Sequence, residues 1–276
     1  MALALATEMA WNPNEIAIGI SHGALGTHLG IAFHNGQATR LVHLAWHLTL
    51  IDEEFPKANW LACVIEFPPV VASQVIVIVR NLCKRYPAGH ARTDGITYGL
   101  NLVAGRGAIK ATGAYKPGKG CDGYTCSSFV AEIFSHFGLE LVRRESMLDL
   151  PRNHAWAEAI LCMLVSTGAT AEHVGKVRAN FKGTRLRPEE VCAAAEMPAT
   201  QWPVDMAQIQ ARADQVSQEV QAKCGPPPQT PDNFAPCRQA YLSALLQLDQ
   251  VEVATAEMKC ASSSIQADGP PGDFAV

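Results

Sequence analysis

Three residues of this chain have the type and the context for nucleophilic chemistry: Cys126, His28 and His43. Cys126 follows a glycine-rich loop, 116–123, and opens a strongly periodic stretch. Cys126, Phe129, Val130, Ile133, Phe134 and Phe137 recur at i, i+3, i+4, i+7, i+8 and i+11, the spacing of one helix face, and Gly138 supplies the stop. Thr125 is the expected N-cap, its hydroxyl accepting one of the unpaired first-turn N–H groups. That places the thiol in the positive end of the helix dipole, where a thiolate is favoured and the thiol pKa is expected to fall. The competing reading is packing: free cysteine is among the most buried residue types, and the same spacing makes Cys126 the first core residue of an amphipathic helix.

The histidines belong to an expected hairpin. His28-Leu-Gly-Ile-Ala-Phe-His34 alternates large apolar with small or polar residues, a period-two strand. Asn35-Gly36 follows, the strongest short hairpin signal, and a second strand is expected over about 37–46. With a two-residue turn, His34 pairs with Gln37 and His28 lies directly opposite His43, on one face of the sheet. Gly30 and Ala32 on that face leave room for a helix above the two imidazoles. A histidine on a strand face is also a common hydrogen-bonded structural residue, and the chain holds nine. Read as chemistry, Cys126 is the nucleophile, His28 the general base and His43 the partner that orients it. The Cys126 N–H at the helix end then faces the oxyanion. Tyr98 and Tyr124 are candidates to line the substrate cleft. Cys121, in the loop without a helix dipole, is a lesser candidate nucleophile. Asp122 reads as a turn residue, and His34 and His47 as loop or surface histidines.

Composition bounds the rest. The 276 residues are 48% apolar and 17% charged, enough for a real core in one large domain or two modest ones. A net charge of −4 and the lack of a Lys/Arg stripe give no basis for nucleic-acid binding. The nine cysteines form no CxxC pairs, so neither a metal site nor a cofactor is expected. Cys224 and Cys237 flank a proline-rich linker and are the pair that an oxidising compartment would bridge. Residues 1–10 lack a basic segment and do not read as a signal peptide, and the longest apolar run, 67–79, is too short to span a bilayer. The expectation is a chain without a transmembrane segment, cytoplasmic as synthesised; export by a route that needs no N-terminal signal would leave no trace here.

Along the chain, a strand is expected at 16–20, a glycine-rich loop at 21–27, a solvated turn at Asp52-Glu53-Glu54 and a helix over 70–86. A long loop, 88–123, then leads to Cys126. Past 146 the texture is helical, with helices expected at 156–166, 171–180, 188–197, 203–223 and about 235–260. A disordered tail is expected over 261–276.

The motifs His28-Leu-Gly-Ile-Ala-Phe, Leu41-Val-His-Leu-Ala45 and Thr125-Cys-Ser-Ser-Phe-Val130, in that order, resemble the circularly permuted branch of the NlpC/P60 papain-like superfamily. That branch includes the lecithin:retinol acyltransferase-like proteins. The resemblance covers about 16–142. It implies an α+β fold, a papain-like antiparallel sheet packed on a nucleophile-bearing helix, as a catalytic domain over 1–145. A helical region over 146–260 then follows. It further implies acyl-enzyme chemistry on a peptide, peptidoglycan or lipid substrate. The acyltransferases carry Asn-Cys-Glu-His-Phe-Val at the nucleophile, whereas this chain has Thr-Cys-Ser-Ser-Phe-Val. The missing Glu-His pair turns the expectation towards hydrolysis of an amide bond. A lipid acyltransferase or phospholipase, and a non-catalytic module whose C-terminal helices engage a protein partner, are the alternatives.

Overall fold

The computed structural model describes residues 3–23, 25–87, 94–102, 107–225 and 234–265, with the backbone alone over 251–265. Six strands form one antiparallel sheet: β1 (Ala4–Leu5), β2 (Ile16–Gly23), β3 (Gly26–His34), β4 (Thr39–Trp46), β5 (Thr49–Glu54) and β6 (Leu61–Ile65), in the order β1-β6-β2-β3-β4-β5. The helices are α1 (Pro69–Arg85), α2 (Cys126–Ser135), α3 (Pro151–Ser166), α4 (Ala171–Asn180), α5 (Pro188–Ala195), α6 (Met206–Lys223) and α7 (Ala235–Ile265). The chain is therefore α+β.

The sheet has two differently covered faces. Leu29, Ile31 and Phe33 of β3 and Val42 and Leu44 of β4 join Phe129, Ile133 and Phe134 of α2 and Val75 and Val79 of α1 in one core. The same core continues through Trp156 and Ile160 of α3, Val191 of α5 and Val216 of α6. The alternate residues, Ala17, Ala32, Leu41 and Ala62, pack on the other face under Trp60 and Phe55. Period-two alternation gives both faces their own layer. Each buried aliphatic side chain in these layers contributes about 1.5–3 kcal/mol by removal from water.

Several sequence expectations change here. The loop expected at 21–27 is the meeting end of β2 and β3, whose ladder reaches Gly23↔Gly26. The turn expected at Asp52-Glu53-Glu54 is strand β5, paired along β4. Its acids are accommodated because Arg40, across the ladder, bonds Asp52 at 2.8 Å, and Lys57 bonds Glu53 at 2.6 Å. The hairpin register is shifted by two, with His34 opposite Thr39 rather than Gln37. Asn35 is the reason: its side-chain oxygen accepts the N–H groups of Gln37 and Ala38, both at 3.0 Å, and closes a four-residue loop. Cys237 bridges Cys162 of α3, not Cys224, which is a buried free thiol. The last helix runs on to Ile265, into the stretch expected to be a tail. Residues 266–276 lie outside the described residues.

Candidate active site

Cys126 is the first residue of α2, as its pattern requires. Thr125 caps the helix: its hydroxyl accepts the Ser128 N–H at 3.1 Å, while the Ser128 hydroxyl accepts the Thr125 N–H at 2.8 Å. The loop before it is stapled down by the Tyr124 N–H on the Thr97 carbonyl at 3.0 Å and the Gly99 N–H on the Tyr124 carbonyl at 3.2 Å. Gly123 is required at this crossing. Its φ is +132°, and a Cβ there would stand 2.1 Å from the Thr97 carbonyl oxygen.

The histidines share a face, because a register slip of two preserves the alternation. They are diagonal rather than directly opposed, and it is Gly30 that faces His43: a Cβ at Gly30 would lie 2.7 Å from the His43 Cβ. His28 Nε2 and His43 Nδ1 are 2.7 Å apart, a hydrogen bond through one shared proton. The Glu53 carboxylate lies 3.5 Å from His43 Nε2, too far and too poorly aligned for a hydrogen bond but close enough to act through its charge. It favours the proton on His43 Nε2. His43 Nδ1 is then the acceptor, His28 Nε2 the donor, and His28 Nδ1 holds a free lone pair. Glu53 belongs to the stretch expected to be a solvated turn. Only the β4–β5 pairing, which sequence reasoning did not supply, brings it beneath the histidines.

The expected placement of helix over imidazoles is not what the fold builds. The histidine face carries Trp60, with ring centroids 6.1 Å from His28 and 5.8 Å from His43, whereas α2 packs on the opposite face. The β3–β4 ladder ends at Ile31↔Val42. Beyond that rung the Leu29 backbone amide is turned to the Cys126 thiol. His28 and Cys126 thereby reach one cleft of about 200 Å³, together with Trp46, Tyr98, Trp156 and Arg185. Among the described residues no hydrogen bond joins the thiol to His28; the Ser127 hydroxyl lies 4.0 Å from it.

The electrostatics also depart from expectation. Burial pushes the Cys126 thiol up, offset only in part by the Leu29 amide, Ser127 and the Arg185 charge. Cys126 is 7% exposed, so desolvation outweighs the helix dipole. Burial lowers His28 to about 4, with Glu53 opposing. Burial, then the charges of His28 and Lys57, lowers His43 to about 3. At neutral pH the pair is a neutral thiol facing neutral imidazoles.

Of the other candidates, Tyr98 lines the cleft, its ring centroid 4.6 Å from that of Trp46. Tyr124 does not: it is 2% exposed and packs in the core beside Tyr115. Cys121 lies away from the cleft, 3.9 Å from the Tyr115 hydroxyl, with its thiol also pushed up by burial. Asp122 is buried, and desolvation raises it to about 6. His47 lies in the turn between β4 and β5, as a loop histidine, but half-buried; it holds the Tyr98 N–H at 3.2 Å and packs on His173. Trp46, Trp156, Arg185 and Phe234 of the cleft wall carry no local motif. No group of three His, Cys, Asp or Glu among the described residues is placed to hold a metal ion. No helix among them is long and apolar enough to cross a membrane. Comparison with protein-family models, with curated proteins and with solved structures found no match.

Proposed function

We propose that this chain is a thiol hydrolase of the permuted papain-like kind. It cleaves an amide bond of peptide or peptidoglycan-stem type through an acyl-enzyme on Cys126. One observation carries the reading: the first residue of a capped helix is a cysteine, and it opens onto the same cleft as an imidazole whose far nitrogen is held by a second imidazole.

The His28 Nδ1 lone pair takes the thiol proton as sulfur attacks the scissile carbonyl. The first-turn N–H of Cys126, unpaired within the helix by its position, stabilises the oxyanion. As the C–N bond breaks, His28 returns the proton to the leaving amine. A water, deprotonated by the same nitrogen, then hydrolyses the thioester. Because the thiol and imidazole share no hydrogen bond, the first transfer passes through one bridging water or a small closure of the cleft. The raised thiol makes transfer concerted with attack rather than the resting state of an ion pair.

The helices after 150 act as the specificity-setting cap on the catalytic part: Trp156, Ile160 and Met163 of α3 and Pro188 of α5 complete the cleft wall. The Cys162–Cys237 bridge supports a site of action in an oxidising compartment after synthesis.

The apolar cleft favours a second reading, acyl transfer or hydrolysis on a lipid ester with the same residues. Intact-mass analysis after incubation with peptide, muropeptide and phospholipid pools tests both. A mass increment on the native chain that is absent from Cys126→Ala supports the acyl-enzyme, and the acyl group identifies the substrate class. No increment with any pool, together with iodoacetamide labelling of Cys126 no faster than other cysteines under all those conditions, leaves only a binding module.

A further inference from the structure

We propose that Arg185 is an anion-recognising post in the cleft, and that the molecule held beside Cys126 carries a carboxylate next to an apolar group. The inference rests on reading the Cys126 cleft as a substrate site.

Arg185 sits over the buried Trp156 indole, its Cζ 3.8 Å from the ring centroid. A guanidinium stacked on an indole keeps its in-plane N–H donors available at its edge, and among the described residues none of those of Arg185 has a hydrogen-bond partner. Other arginines are committed to carboxylates. Arg40 pairs with Asp52 at 2.8 Å, Arg143 with Asp205 at 2.7 Å, Arg178 with Glu158 at 2.8 Å and Arg212 with Glu196 at 2.5 Å. Arg185 has no carboxylate in ion-pair range among the described residues. Its charge is felt by Cys126, Tyr98 and Glu190. Glu190 is already engaged by Arg187, through Nε at 2.6 Å and the backbone N–H at 2.7 Å.

A half-buried guanidinium packed on an indole, with no carboxylate in ion-pair range among the described residues, is costly to keep in place. A carboxylate arriving with the ligand satisfies its edge in a bidentate pair. Arg185 is the one cation lining the cleft among the described residues, so a monoanion suits it better than a phosphate dianion. Leu25, Trp46, Ile160, Met163 and Phe234 give the rest of the wall an apolar stretch, beside the polar side chains of Thr27, Thr125 and Ser127. A cavity of about 200 Å³ admits a side chain or short acyl segment, not a folded partner. The ligand is thus amphipathic: an apolar body against the aromatic wall and a carboxylate at Arg185. The same charge lies close enough to Cys126 to lower its thiol, so an anion seated there also reports on the nucleophile.

The test is calorimetric titration of the full chain carrying Cys126→Ala, with N-acetyl-L-phenylalanine and with its amide as probes. The expected result is that the acid binds about tenfold more tightly than the amide, the return on one charge-assisted pair. Arg185→Gln abolishes the preference and Arg185→Lys keeps part of it. Equal affinities for acid and amide, or a preference that persists in Arg185→Gln, overturns the proposal. Inorganic phosphate displacing the acid at matched ionic strength overturns the assignment to carboxylate. No arm depends on turnover, so an inert Cys126 leaves the result readable, and a lost preference leaves the acyl-enzyme test untouched.

Discussion

Two pairs of adjacent histidines occur among the described residues, and they use their ring nitrogens differently. His28 and His43 bond each other at 2.7 Å, so one nitrogen of each is spent inside the pair; the other nitrogen of His43 lies 3.5 Å from Glu53, and His28 lines the cleft. His47 and His173 lie with ring centroids 4.4 Å apart, yet both bond the backbone of Tyr98. His47 Nδ1 accepts its N–H at 3.2 Å, and His173 Nε2 donates to its carbonyl at 2.8 Å. The first pair, on the mechanism proposed above, is a short relay with a lone pair left at its end. The second is a clamp that holds a cleft-lining loop. Proximity of imidazoles does not make a catalytic base; the decision lies in what their hydrogen bonds are spent on.

The largest expected difference between the pairs is in turnover. His28→Gln should lower hydrolysis of a generic probe such as p-nitrophenyl butyrate by about 10²–10⁴-fold, the usual weight of a positioned general base. His173→Gln should lower it only through a loosened Tyr98, about tenfold or less, while removing about 1 kcal/mol of stability with one hydrogen bond. Equal losses in the two variants would erase the distinction between relay and clamp.

Stability against pH sharpens it next. His28 at about 4 and His43 at about 3 lie below the unfolded value of 6.5. Between those values the unfolded chain takes up protons that the folded chain refuses. The stability they confer is therefore full above about pH 6.5 and drains away as pH falls towards 4. His47, lowered to about 4 by burial and by His173, adds to the same loss. A melting temperature on the order of 10 °C lower at pH 5 than at pH 7 is expected, at roughly 2–4 °C per kcal/mol for a chain of this size. His28→Asn with His43→Asn should flatten the profile more than His173→Asn. An unchanged slope in the double variant would mean that the relay is not the acid-sensitive element.

Gly30→Ala probes the relay's packing. The added methyl meets the His43 Cβ and the Val42 carbonyl oxygen, each at 2.7 Å, so a loss of about 1–3 kcal/mol in denaturant unfolding is expected, with His43 displaced from His28. The smallest effect belongs to the helix that Cys126 opens: Thr125→Ala should cost about 1 kcal/mol by removing the cap, with histidine-dependent behaviour unchanged.

Much of the site's local structure is legible in the residues. The apolar spacing from Cys126 to Phe134, the Thr125 cap and the alternation around His28 are short-range signals, and each forms as its pattern requires. The hairpin was legible in parity but not in register, since Asn35 closes its loop with its own side chain. The β5 acids were not legible as strand residues, because their partners Arg40, His43 and Lys57 become neighbours only through β4–β5 pairing and the turn beyond it. The cleft wall was illegible as well: Trp156 and Arg185 meet Cys126 only when α3 and the segment before α5 pack on α2, and nothing local marks them. Cys162 and Cys237 stand 75 residues apart, beyond any spacing argument.

By itself, the order of residues determined where a cysteine begins a helix and that two histidines share one face of a sheet, because helix and strand periodicity act over a few neighbours. Only the tertiary structure decided that this face turns away from the helix, that His28 and Cys126 nonetheless line one cleft, and that burial overrides the helix dipole at the thiol. The physical reason is range. Periodicity and capping are settled within a turn or two of chain, whereas desolvation and strand splay depend on everything packed around them.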